Sequence, residues 1–361
     1  MQRNLEPFDQ DVLNCLDNAL LAQGRPSRVD PKTLRGNLNR LVAEFGRRAS
    51  ITVRRINDTV PAGQRCPTHI FFCEALLYGA FAMRANHNFI VLNIGLVPTL
   101  TDFFQRMMAT AGLWPDIGGR ITCHRSGQSR AADVPAHLLW NVLPPRAPDD
   151  LLRMAFATVF MSECFDVIVR HEFAHLILGH LAADAQLIVK SDPIARQTLE
   201  LAADGHAAIW GLHSLQHMPA TLEGRTNIVS NAYREFHRTP YDALINYLLV
   251  IFLVFRLMDE TDWNNHTLGR GHPPAPMRFH AACIHLVEHL KQVGDAEGEA
   301  RMLQAMHQIW ELGEAIFAAT LGRKPNPSIK WLTLGEISEQ HYNQMSDRAW
   351  TLPRHLFGLG S

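Results

Sequence analysis

Apolar positions fall in two different rhythms along this chain. From about residue 151 to residue 260 they recur at helical spacing almost without interruption, so that stretch is expected to be nearly all helix. Upstream the pattern is mixed. "SITVRRI" (50–56) and "NFIVLNIGLV" (88–97) are rich in β-branched residues and predict strands, while "FFCEALLYGAFAMRA" (71–85) between them predicts a helix. The prolines of "NVLPPRAPDD" (141–150) mark a linker, and Asp149 or Asp150 is the expected cap of the next helix. A second break, "DWNNHTLGRGHPPAPMRF" (262–279), precedes helices expected near 278–292 and 296–320, and the tail from "LGRKPNPSIKW" reads as loop. The expected fold is mainly α with an α+β N-terminal region: residues 1–146 form that region and would shape substrate access, and residues 147–361 form a helical domain.

Composition narrows the class. With 361 residues, 47% of them hydrophobic, the chain can bury a large core. Thirty-four basic against 35 acidic residues give a net charge of -1, which supplies no field for capturing nucleic acid or an anionic membrane. Six scattered cysteines with no C-x-x-C pair read as free thiols of a reducing compartment. The opening "MQRNLEPFDQDVLNCLDNALLAQ" has acidic residues where a signal peptide needs a basic and then an apolar run. The most apolar stretch, Tyr247–Phe255, is far shorter than the roughly 20 residues that span a bilayer, and is expected to be a buried helix. The expectation is a cytoplasmic protein without a membrane span, whose partner is not a nucleic acid.

Candidate chemistry changes the picture at residues 166–181, "DVIVRHEFAHLILGHL". Three imidazoles and a carboxylate in an apolar helix are costly unless something pairs them. At i and i+4, His171 and His175 share one helix face and can grip one metal ion, and Glu172 sits beside it as a general base. A chain with 19 histidines can produce this spacing by chance, so a third ligand is the test. His180, about 140° around the helix from His175, faces away unless the helix breaks at Gly179. In "SDPIARQTLELAADGHAAIWG" a second helix is expected to start at Ser191 or Asp192 with Pro193 in its first turn. It carries Glu200 and Asp204 one turn apart, Glu200 as third ligand and Asp204 to accept a ligand histidine's outer N–H. The inverted pattern "HLVEH" (285–289) has no comparable third ligand after it and reads as packing or surface. Cys123-His124 and Cys66/His69 likewise lack partners at metal spacing.

"HEFAH" (171–175), "ELAAD" (200–204) and "HPPAPMR" (272–278), in that order, resemble the signature of gluzincin zinc metallopeptidases of the CAAX-prenyl-protease type. "HEFAHLILGH" without membrane helices is most similar to the soluble Lit-type phage-exclusion peptidases. The resemblance spans roughly residues 155–280. It implies a zincin-like core, a Zn2+ cofactor held by His171, His175 and Glu200, and Glu172 as base. It also implies that His272 and Arg278 stabilise the tetrahedral intermediate or grip the substrate backbone. The expected activity is cleavage of an intracellular protein substrate in a phage-defence or regulatory role. The alternative is a catalytically silent zinc-peptidase scaffold that senses a partner, with His180, His206 or His272 closing the metal's fourth position.

Overall fold

The computed structural model describes residues 9–118, 134–258, 272–325 and 336–358. In chain order the elements are α1 (Gln10–Ala22), α2 (Gly36–Thr59), β1 (Thr68–Cys73), β2 (Ala80–Arg84), β3 (Asn88–Asn93), α3 (Leu96–Met108) and the single turn α4 (Leu139–Val142). The long helices follow: α5 (Leu151–Ile177), α6 (Ala183–Ser191), α7 (Pro193–Leu222), α8 (Ile228–Phe236), α9 (Pro240–Met258), α10 (Ala275–Gln292), α11 (Ala296–Leu321) and α12 (Glu336–Thr351). The protein is thus mostly helical with one small sheet near its N-terminus.

That sheet has the order β1-β3-β2, with β1 parallel and β2 antiparallel to β3. Side chains alternate across it as the pleat requires. Ile90 and Leu92 enter the main core, and Phe89 and Val91 meet Leu16 and Leu20 of α1 on the other face.

Two of the expected strands and helices exchange places here. "SITVRRI" lies inside α2, because its buried residues Val42, Phe45, Ala49, Thr52, Val53 and Ile56 recur every three or four positions and one helix face buries them all. β-Branching is a weaker signal than that period. "FFCEALLYGAFAMRA" supplies the end of β1 and all of β2, with Gly79 at φ 143 turning the chain between them. The tail expected as loop contains α12, and residues 326–335 of it lie outside the described residues. Of the break at 262–279, residues 262–271 also lie outside them.

Helix α5 starts where its cap directs: the Asp150 carboxylate accepts from the Arg153 backbone N–H. It is buried on nearly all sides, so its charges need partners. Arg48 of α2 donates to Asp166 at 2.7 and 2.9 Å and to Glu163 at 3.2 Å, and Arg153 donates to the carbonyls of Met108, Leu113 and Trp114. α7 opens on the Asp192 cap with Pro193 in its first turn. It packs against both α5 and α10. Gly211 makes room for the Tyr247 hydroxyl, which donates to the Ala208 carbonyl at 2.9 Å. Tyr247 belongs to α9, the one helix among the described residues long and apolar enough to cross a membrane; most of it is buried within the protein.

Candidate metal centre

α5 and α7 meet at the small residues Ala174 and Ala203, which form one buried cluster with Leu178 just past the end of α5. That closeness brings the polar groups of the two helices together. The Nε2 atoms of His171 and His175 lie 3.1 Å apart, and the Glu200 carboxylate is 3.4 Å from the first and 3.6 Å from the second. These three residues are a group able to hold a metal ion. Two nitrogens bound at about 2.05 Å to a tetrahedral ion are separated by roughly 3.3 Å, close to the observed 3.1 Å, and each nitrogen faces its own oxygen of the Glu200 carboxylate, His171 facing Oε2 and His175 facing Oε1. Glu200 Oε2 is buried without a well-formed hydrogen bond, the kind of atom whose burial a cation offsets. The residues fit a metal ion.

The outer ring nitrogens are each held. Asp204 Oδ1 lies 2.8 Å from His171 Nδ1, so that N–H donates outward and Nε2 turns inward. Arg278 of α10 binds Asp204 with both arms of its fork, Nε at 2.8 Å and Nη2 at 2.7 Å. Arg278 is 6% exposed, and both of these hydrogen bonds go to Asp204.

His180 comes back to the centre. The helix ends at Ile177 and Gly179 adopts φ 75, which folds the chain so that the His180 and His175 Nδ1 atoms lie 2.9 Å apart. His180 Nε2 is 2.7 Å from the Leu356 carbonyl, an acceptor only, so this nitrogen carries the hydrogen. Burial and the neighbouring His175 hold His180 down to about 3, leaving its ring neutral with a single hydrogen. Its Nδ1 therefore accepts from His175 Nδ1–H, and the His175 Nε2 lone pair faces Glu200. His180 is thus outside the ligand group, but it orients a member of it.

Electrostatics agree with a site that collects positive charge. Burial opposes charging His171, yet Asp204 outweighs it and lifts that imidazole to about 10. Burial would raise Glu200, but His175 and His272 hold it well below the usual carboxylate range. Asp204 is lowered against its burial by Arg278 and His171. A proton and a metal ion compete for such a site.

Glu172, 8% exposed, directly follows His171 and makes no hydrogen bond to any described residue. His272 stands at the rim with its side chain 58% exposed and Nδ1 2.9 Å from Glu200 Oε2. The structure therefore gathers His171, Glu172, His175, Glu200, Asp204, His272 and Arg278 into one place. Sequence reasoning missed the support of His175 by His180 and Leu356, and the Arg278–Asp204 pair. The Gly-His step at 179–180 was the signal for the first; nothing local announces Leu356, which arrives from 176 residues away.

Compared with known proteins, the chain matches no protein-family model, no curated protein and no solved structure, so the centre is read from its own residues.

Proposed function

We propose that this chain is a zinc-dependent endopeptidase with a zincin-like core, acting on a protein substrate inside the cell. The observation that carries the reading is the convergence of His171 and His175 Nε2 on the Glu200 carboxylate, with Glu172 beside them. Two imidazoles and a carboxylate are a ligand set of catalytic zinc, which keeps a fourth position open. The metal would supply a Lewis-acid charge beside the scissile carbonyl and the attacking water.

The chain's own residues supply the rest. Glu172 takes the proton of the attacking water and passes it to the leaving amine. Asp204, gripped by Arg278, keeps the His171 lone pair inward, and His180 does the same for His175. His272, held only at the rim, is the group free to donate to oxygen as charge develops on it. The described cysteines are all unpaired, which supports a reducing compartment. A phage-defence or regulatory setting rests on the motif resemblance.

The test is N-terminal profiling of proteins in cells expressing the wild type or Glu172→Gln, with zinc measured on both purified chains. New N-termini from the wild type alone, with equal zinc in both, are expected. Equal cleavage by the Gln variant would remove Glu172 from its role, and zinc in both chains with no cleavage by either would favour the silent scaffold.

A further inference from the structure

A second group of imidazoles lies where α7 and α10 pack against each other, and the candidate metal centre uses none of them. The inverted motif at 285–289 supplies part of it. Its two histidines, one turn apart on α10, both meet α7: the His285 ring lies over Gly205, where a Cβ would collide with it, and the His289 ring meets His213. The His213 and His289 Nε2 atoms are 2.9 Å apart, with ring centroids separated by 4.9 Å. His217 follows His213 by four residues, so it stands on the same face of α7 one turn further on. His213 and His217 are exposed and His289 is half-buried, so solvent and ions reach all three.

We propose that His213, His217 and His289 form a second binding site, for a divalent transition-metal ion such as Zn2+ or Ni2+. Two histidines at i and i+4 on a helix present two nitrogens to one ion, and a third from the neighbouring helix completes a facial set. Imidazole nitrogen selects zinc, copper and nickel over magnesium or calcium, which require oxygen ligands. The His213–His289 separation needs to widen only from 2.9 Å to roughly 3.3 Å to place both nitrogens on a tetrahedral ion. His217, exposed on the same face of α7, would turn towards the same ion by a change of rotamer. His213 is lowered by burial and then by both His289 and His217, so these rings sit close enough for each to disfavour a proton on the next. Metal ligation requires the same unprotonated form.

An ion here links α7, the helix of Glu200 and Asp204, to α10, the helix of Arg278. The site stands whether or not the chain is a peptidase.

Zinc content per chain measured after equilibrium dialysis, supported by calorimetric titration with ZnCl2, tests it. The His213→Ala/His289→Ala chain is expected to bind one equivalent fewer than the wild type, and His217→Ala to weaken that same equivalent. Because the three side chains are at the surface, metal-free melting temperatures should agree across the set, which shows that the lost equivalent is not lost folding. The proposal is overturned if the double variant binds as much zinc as the wild type with the same affinities, leaving His213 and His289 a hydrogen-bonded pair. A parallel titration of Glu200→Gln separates the two sites: it removes the other equivalent and leaves this one.

Discussion

Replacing Asp204 by asparagine tests the centre at the group that joins two helices' contributions. Asp204 is 3% exposed and contacts His171 at 2.8 Å and Arg278 at 2.7 and 2.8 Å. Two losses with different remedies follow. Without its counter-charge, the Arg278 guanidinium is a buried cation left with the more distant carboxylates of Glu200, at 3.8 Å, and Glu172, and such a break costs about 3 kcal/mol. At about 2.1 cal/mol/K per residue, a 361-residue chain unfolds with an entropy of roughly 0.8 kcal/mol/K, so this corresponds to a fall of about 4 °C in melting temperature. Separately, His171 loses the charged acceptor that orients it, which typically weakens metal binding about 10- to 100-fold. The double variant Asp204→Asn/Arg278→Met removes the stranded cation as well. It should recover most of the melting temperature of the metal-free protein while its zinc affinity stays low. Calorimetry on metal-stripped chains reads the first quantity, and competition with a chromophoric chelator reads the second. Wild-type zinc affinity in the double variant would refute the argument, because Asp204 would then act only by neutralising Arg278.

Three other changes probe the surroundings. His180→Ala leaves the His175 ring free to turn and should weaken zinc binding by roughly tenfold or more, measured by the same competition; unchanged affinity would mean the His175–His180 contact orients nothing. Gly211→Ala drives a methyl group into the Tyr247 hydroxyl and should cost about 2–3 kcal/mol, read as a lower urea midpoint at constant slope. Arg48→Met takes the near cation from Asp166 and Glu163, leaving them the Thr52 and Tyr233 hydroxyls and Arg170 at 3.8 Å, and should cost about 3 kcal/mol at neutral pH. Burial already raises the Glu163 carboxyl, and losing Arg48 raises it further. A group whose folded pKa is raised binds its proton more tightly when folded, so the deficit should shrink as pH falls from 7 towards 5 in chemical denaturation.

The parts of this molecule legible in its sequence are those governed by short spacing. Asp150 and Asp192 cap the helices expected of them, and the i, i+4 pairs at His171/His175 and Glu200/Asp204 share faces because any α-helix puts them there. The buried character of α9 follows from its composition. The errors came where local composition competes with burial. The β-branched residues at 51–53 and 56 sit in a helix because their neighbours Val42, Phe45 and Ala49 extend the same face, and the apolar run after residue 70 is split between two strands by Gly79. Arg278 was recognised as a member of the site but not for its contact, since the choice between substrate and Asp204 is made by the meeting of α7 and α10. No single stretch contains that meeting.

The turn at residues 354–357 carries one more consequence. Leu356 and Phe357 present their carbonyls to His180 and His206, so the last described part of the chain completes a constellation whose other members lie between residues 171 and 278. During synthesis every ligand is therefore made well before the carbonyl that settles His175 in its working tautomer. A nascent chain holds an unfinished centre until residue 356 has cleared the ribosome. The candidate metal centre thus reaches its final arrangement only once the turn at 354–357 has docked against His180.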